Sequence, residues 1–199
     1  MKKQMFFLLA ILALTAVSTY GQNGKKFYKA GVEFMETKKY DDAIAQFTSA
    51  IGIEPSNASY YYSRGEAYEA VLKYGEAKSD YEKTIVFAPK EVDAYVRLGA
   101  VCNRMERYQD ALAYLNHATG MDKRNSTAYP EKVITLINLA KYDQALKASD
   151  TAIIIKDLPI NYYWRGVIYI KLNNDVSAKK ELEKSIAKDK KLVEPKLAL

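Results

Sequence analysis

The chain has 199 residues, 49% apolar and 27% charged, so it can bury a sizeable core and is too apolar for a disordered polymer. Nine glycines and five prolines exclude a collagen-like or loop-rich architecture, and the single cysteine, Cys102, excludes an internal disulfide and a cysteine-rich metal site. The net charge of +6 falls to +4 without Lys2 and Lys3, a value that permits an acidic partner without requiring one.

Met1-Lys2-Lys3 opens a segment whose apolar heart runs from Met5 to Val17 and passes into Ser18-Thr19-Tyr20-Gly21-Gln22. A positive start, a short apolar run and small residues before a cleavage point define a Sec-type signal peptide. The apolar heart covers 13 residues, whereas a bilayer span takes about 20. An uncleaved anchor is therefore the weaker alternative. Cleavage after Ser18 or after Gly21 satisfies the small-residue rule; Gly21 is preferred, making residues 1–21 the leader. No cysteine follows the run, so a lipid anchor is not expected. The expectation is an exported chain, periplasmic or extracellular, with no stable membrane insertion after cleavage.

Beyond the leader the sequence repeats itself. Gly31, Gly65 and Gly99 are 34 residues apart, and so are Ala43, Ala77, Ala111 and Ala145. Tyr40, Tyr74, Tyr108 and Tyr142 keep the same step, as do Tyr61, Tyr95 and Tyr129. Within a period the spacing is helical: Phe27, Gly31 and Phe34 form one stripe, and Ala43, Phe47 and Ala50 another after a break at Lys38-Lys39-Tyr40-Asp41. Each unit is a helix, a short turn and a second helix. Pro55 and Pro89 end second helices, because proline cannot continue one. Glycine inside a helix costs about 1 kcal/mol relative to alanine, so its recurrence needs a reason. Here the expected reason is close packing of the first helix on the alanine stripe of the second. One hairpin cannot bury its apolar face alone, so the units must stack.

These residues resemble the tetratricopeptide repeat. The first unit supplies Phe27, Gly31, Phe34, Tyr40, Ala43, Phe47, Ala50 and Pro55, and the second Tyr61, Gly65, Tyr68, Tyr74, Ala77, Tyr81, Thr84 and Pro89. The third keeps the pattern through Ala118 but has Lys123 where proline is expected. The fourth has Val133 in place of the glycine, from which a wider helix pair or one at another angle is expected. The fifth follows one residue early, after Asp157-Leu158-Pro159, where an irregular step is expected. Five repeats result, at about 24–57, 58–91, 92–125, 126–158 and 159–192, with a tail at 193–199. The resemblance implies an all-α, right-handed superhelical α-solenoid of antiparallel helix pairs, with about ten helices in a single solenoid over 22–192.

No catalytic constellation accompanies the repeats. His117, the single histidine, reads as a partly exposed helix residue, and Cys102 as a buried inert thiol. Asp41-Asp42 and Glu181 with Glu183 read as carboxylates on exposed helix surface. No cofactor, metal or enzymatic role is expected. The lysines from Lys179 to Lys196 alternate with glutamates and lack arginine and interleaved aromatics, so nucleic acid is not expected as a partner.

The resemblance also implies a binding groove lined by the first helices. Carried over residue by residue, its positions include Tyr62, Val96 and Arg104. In the C-terminal half they include Ile134, Ile137, Ile160, Tyr163, Val167 and Ile170. The Lys/Asn set that grips a terminal carboxylate in chaperone-binding members is missing: Tyr28 with Val32, or Tyr62 with Glu66, stand there instead. The apolar half suits an amphipathic helix or extended apolar peptide, unless neighbouring helices or the tail cover it. A non-catalytic protein-binding scaffold is expected, in a bacterial envelope or secretion assembly. The alternative is a structural protein that self-associates through a poorly capped C-terminal end.

Overall fold

The computed structural model describes residues 23–189, and among these every regular element is a helix. The expected leader at 1–21 and the tail at 193–199 lie outside the described residues. The chain divides into two compact units, residues 1–91 and 92–199.

In the first unit α1 occupies residues 23–36, α2 Tyr40–Ile53, α3 Ala58–Ala70 and α4 Tyr74–Phe87. The core forms around Ala43, Phe47 and Ala67, against which Tyr28, Val32, Phe34 and Met35 of α1 pack. The Tyr28 ring stacks on Tyr60 of α3 with centroids 5.0 Å apart. In the second unit α5 is Val92–Arg104, α6 Tyr108–Met121, α7 Ala128–Asn138, α8 Tyr142–Ile155, α9 Pro159–Lys171 and α10 Asp175–Lys188. Each helix packs on the next, and α7 also touches α5 and α9, so the first helices of these hairpins lie side by side. Val133, Leu136, Ala145 and Ile168 make the main core, with Tyr129, Ile137 and Trp164 around it.

The turn inside every hairpin is the same. Lys38, Leu72, Glu106, Ala140 and Asn173 all have φ between 53° and 61°, the left-handed conformation that ends a helix. The next N–H returns to the carbonyl five residues back, as Lys39 to Phe34 and Lys73 to Tyr68, both at 2.9 Å. This Schellman closure satisfies carbonyls that the helix end leaves unpaired. Pro55 and Pro89 stand two residues beyond α2 and α4, as expected. At Lys123, where the third repeat lacks the proline, Asp122 turns the chain by accepting the Arg124 N–H at 2.9 Å.

The recurrent glycines work differently from the expectation. A Cβ at Gly31 would meet Phe47 Cε1 at 2.5 Å, at Gly65 Tyr81 Cε1 at 2.8 Å, and at Gly166 Leu182 Cδ2 at 2.8 Å, while at Gly99 it would strike Leu115. The glycine therefore receives the large side chain sixteen residues later, not the alanine stripe. In the fourth repeat the sizes are exchanged: Val133 replaces glycine and the residue sixteen later is Ser149, both buried. That trade supplies volume for the valine, so a wider helix pair does not follow from the substitution.

Candidate functional site

The residues expected to line a groove occupy different environments. Val96 is only 6% exposed and packs with Ala118 and Ala128, so it is core, not groove, because α6 and α7 close over it. Asn103, on the same helix, is also buried and spent in bonds to α7. Its Nδ2 donates to Glu131 Oε2 at 3.0 Å, and its Oδ1 accepts from Thr135 Oγ1 at 2.8 Å. Tyr62 of the first unit is half-buried, its ring 5.5 Å from that of Tyr81. Arg104 is exposed in the last turn of α5, where its charge favours the helix C-terminus.

The six apolar residues lie on α7 and α9, which touch. Ile134, Ile160, Val167 and Tyr163 are half-buried, and Ile170 is 43% exposed. The Tyr163 ring meets the Trp164 ring edge-on at 5.1 Å, whereas Ile137 leans on the Leu136–Ile168 core. An apolar surface therefore runs along the first helices of the fourth and fifth repeats, with Ile170 its most open member.

On the other side of the hairpins, buried charge is organised by the same sixteen-residue step. Arg64 donates to both Asp80 oxygens at 2.8 Å and to Thr48 Oγ1 at 3.0 Å. Its guanidinium is also 5.7 Å from the Tyr61 and Tyr68 rings. Arg165 donates to Glu181 Oε2 at 2.5 and 3.0 Å and to Asp150 at 2.7 Å, and Lys184 adds a bond to Glu181 Oε1 at 3.0 Å. Glu181 is thus buried in an ion pair, not solvated as expected; Asp41, Asp42 and Glu183 are exposed. Burial acts to raise the Glu181 pKa, but the hydrogen bonds and charges of Arg165 and Lys184 outweigh it and hold the carboxyl below the usual range. The Asp80 hydrogen bond similarly raises the Arg64 guanidinium.

The fourth repeat lacks that pair. Lys132 takes the place of the arginine and Ala148 that of the acid, and a cleft of about 260 Å³ opens between α6, α7 and α8. Asn116, Tyr129, Gln144, Lys147 and Thr151 line it with Lys132. Nothing in the sequence reading singled it out, although comparing residues sixteen apart in each repeat would have shown the missing acid.

His117 is exposed, its ring 4.3 Å from that of Tyr95, and Cys102 is fully buried as a free thiol. Among the described residues no group of three or more His, Cys, Asp or Glu is placed to hold a metal ion. No described helix is long and apolar enough to cross a membrane.

Stacked, antiparallel helix hairpins joined by one recurring turn define a helical-repeat protein, a class whose surfaces serve binding. A family model described as TPR repeat matches residues 31–71, and one described as Tetratricopeptide repeat matches 92–125 and 161–190. The chain belongs to the tetratricopeptide-repeat family. A MamA structure from Desulfovibrio magneticus RS-1 superposes with a TM-score of 0.80 at 15% identity, covering 85% of this chain and 96% of that one. A second MamA crystal structure gives 0.76 at 21%, covering 81% and 95%. YrrB, described as a TPR protein with an unusual peptide-binding site, gives 0.74 at 23%, covering 89% and 92%. At these identities the likeness is one of fold. No curated protein matches the sequence.

Proposed function

We propose that the chain is a non-catalytic scaffold that holds a protein or peptide along the apolar faces of α7 and α9. The observation that carries this reading is the run of half-buried and exposed apolar side chains on two adjoining first helices, from Ile134 to Ile170. Such a surface accepts the apolar side of an amphipathic helix or the alternate side chains of an extended peptide. A peptide-binding relative of the same fold supports it. The signal-like sequence at residues 1–21 supports a scaffold that works outside the cytoplasm, in the envelope or beyond it.

Crosslinking in cells tests the reading, with the captured protein compared between the native chain and the Tyr163→Ala/Ile170→Glu variant. Loss of a partner in the variant is the expected result. An unchanged set of partners would remove the α7–α9 surface from consideration. A second reading rests on α10, where Val176 is 84% exposed and Ile186 and the preceding Leu172 are also open. Copies of the chain would associate through that end. Sedimentation of the native chain against Val176→Lys/Ile186→Lys distinguishes the two: a fall in mass with partners retained supports self-association, and an unchanged monomer excludes it.

A further inference from the structure

The structure assigns a second binding site, which we infer takes a carboxylate from another molecule: the cleft between α6, α7 and α8, with Lys132 and Lys147 as its cations. The second and fifth repeats show how a cation at that place in a hairpin is matched, whereas the first and third hold the uncharged pairs Ala30 with Gln46 and Leu98 with Tyr114. In the second and fifth the cation of the first helix meets an acid sixteen residues later, Arg64 with Asp80 and Arg165 with Glu181. In the fourth repeat the corresponding residues are Lys132 and Ala148. Alanine ends at Cβ, so the space that the acidic side chains fill in the other two hairpins is open, and the cleft of about 260 Å³ lies there.

Among the described residues no acid replaces the missing one. Asn116 of α6 holds the place that Asp150, one 34-residue step later, fills beside Arg165. Among the described residues no carboxylate pairs with Lys132, whose Nζ reaches Thr119 Oγ1 at 3.4 Å. Burial lowers the Lys132 pKa with no opposing charge to hold it up. A half-buried ammonium without a counter-charge costs free energy that an incoming carboxylate would offset.

The rest of the lining fits that ligand. Asn116, Gln144, Thr151 and Tyr129 carry amide and hydroxyl donors for carboxylate oxygens, and Leu136 and Ala148 give an apolar floor for a methylene arm. The volume admits one side chain or a small acid. At about 100° per residue, Lys132 and Ile134 stand on nearly opposite sides of α7. The cleft is therefore separate from the apolar surface and independent of the scaffold reading.

Two sources share this chemistry: an acidic side chain on a partner protein, and a free small carboxylate. Calorimetric titration of the full chain with succinate, with an acetylated and amidated triglutamate peptide, and with inorganic phosphate separates them. Saturable binding of at least one carboxylate is expected, weakened roughly tenfold or more by Lys132→Gln, as for loss of a charged hydrogen bond. Ala148→Asp should abolish it and raise the melting temperature, because it supplies the acid that the second and fifth repeats already have. Stronger binding of the peptide identifies a protein partner as the source, and stronger binding of succinate a small acid. The assignment fails if neither carboxylate saturates at millimolar concentration. It fails equally if phosphate binds as well as both, or if binding survives Ala148→Asp in a folded protein.

Discussion

The second and fourth repeats have the same hairpin but opposite fillings. In the second, Gly65 admits Tyr81 and Arg64 is matched by Asp80; in the fourth, Val133 stands with Ser149 and Lys132 with Ala148. Both pairs join residues sixteen apart, which two antiparallel helices bring face to face. The comparison teaches that the effect of size or charge at one of these positions depends on the residue that faces it. Exchanging sizes preserves the core, whereas deleting an acid without deleting its cation opens a site.

The sharpest test makes the second repeat resemble the fourth. Tyr81→Ser alone empties a fully buried ring position and should cost about 3–5 kcal/mol of unfolding free energy. Adding Gly65→Val should recover part of that, with a coupling of about 1–2 kcal/mol measured by denaturant titration of the cycle. Additive losses would show that the two positions do not share volume. Next in size, Asp80→Ala leaves a largely buried guanidinium unpaired, its side chain 17% exposed, and should cost about 3 kcal/mol. The exposed Arg107–Asp110 pair is the control, and breaking it should cost less than about 1 kcal/mol.

The fifth repeat permits a titration. Because the folded pKa of Glu181 is depressed, its contribution is fully present above the ordinary value of 4.5 and is lost as the pH falls through the lower folded value. The stability difference between native chain and Glu181→Gln should therefore be largest near neutrality and shrink below about pH 4.5. A difference flat from pH 6 to pH 3 would deny the ion pair any weight. The smallest effect belongs to the turns, which the second and fourth repeats share. Leu72 is 69% exposed at φ 61°, so Leu72→Gly relieves a left-handed side chain at the cost of added freedom in the unfolded chain. A net gain of about 0.5–1 kcal/mol is expected in the melt, and a loss would mean the leucine contributes contacts of its own.

The helix–turn–helix repeat was readable from residue positions, because Gly31, Ala43 and Tyr40 recur with one period. Pairing across the hairpin was not. Which side chain fills the space beside Gly65, or whether Glu181 meets water or Arg165, depends on how the second helix is rotated against the first, and a one-dimensional period does not contain that angle. On α7 and α9 the residues expected to line a groove lie half-buried or exposed on adjoining helices. On α5, Val96 was misjudged because neighbouring helices close over it. Lys132 escaped notice for the opposite reason: it was judged by its own type, when its meaning lies in the alanine that faces it.

The sixteen-residue step has a kinetic consequence. The contacts that decide each hairpin close short loops, so the entropic toll of the search is small and is met one hairpin at a time. Such a chain should begin to organise once neighbouring hairpins are available to cover one another, before its far end has been made. Ordering of that kind suits a molecule built by adding modules, since a new one brings its own nucleus with it.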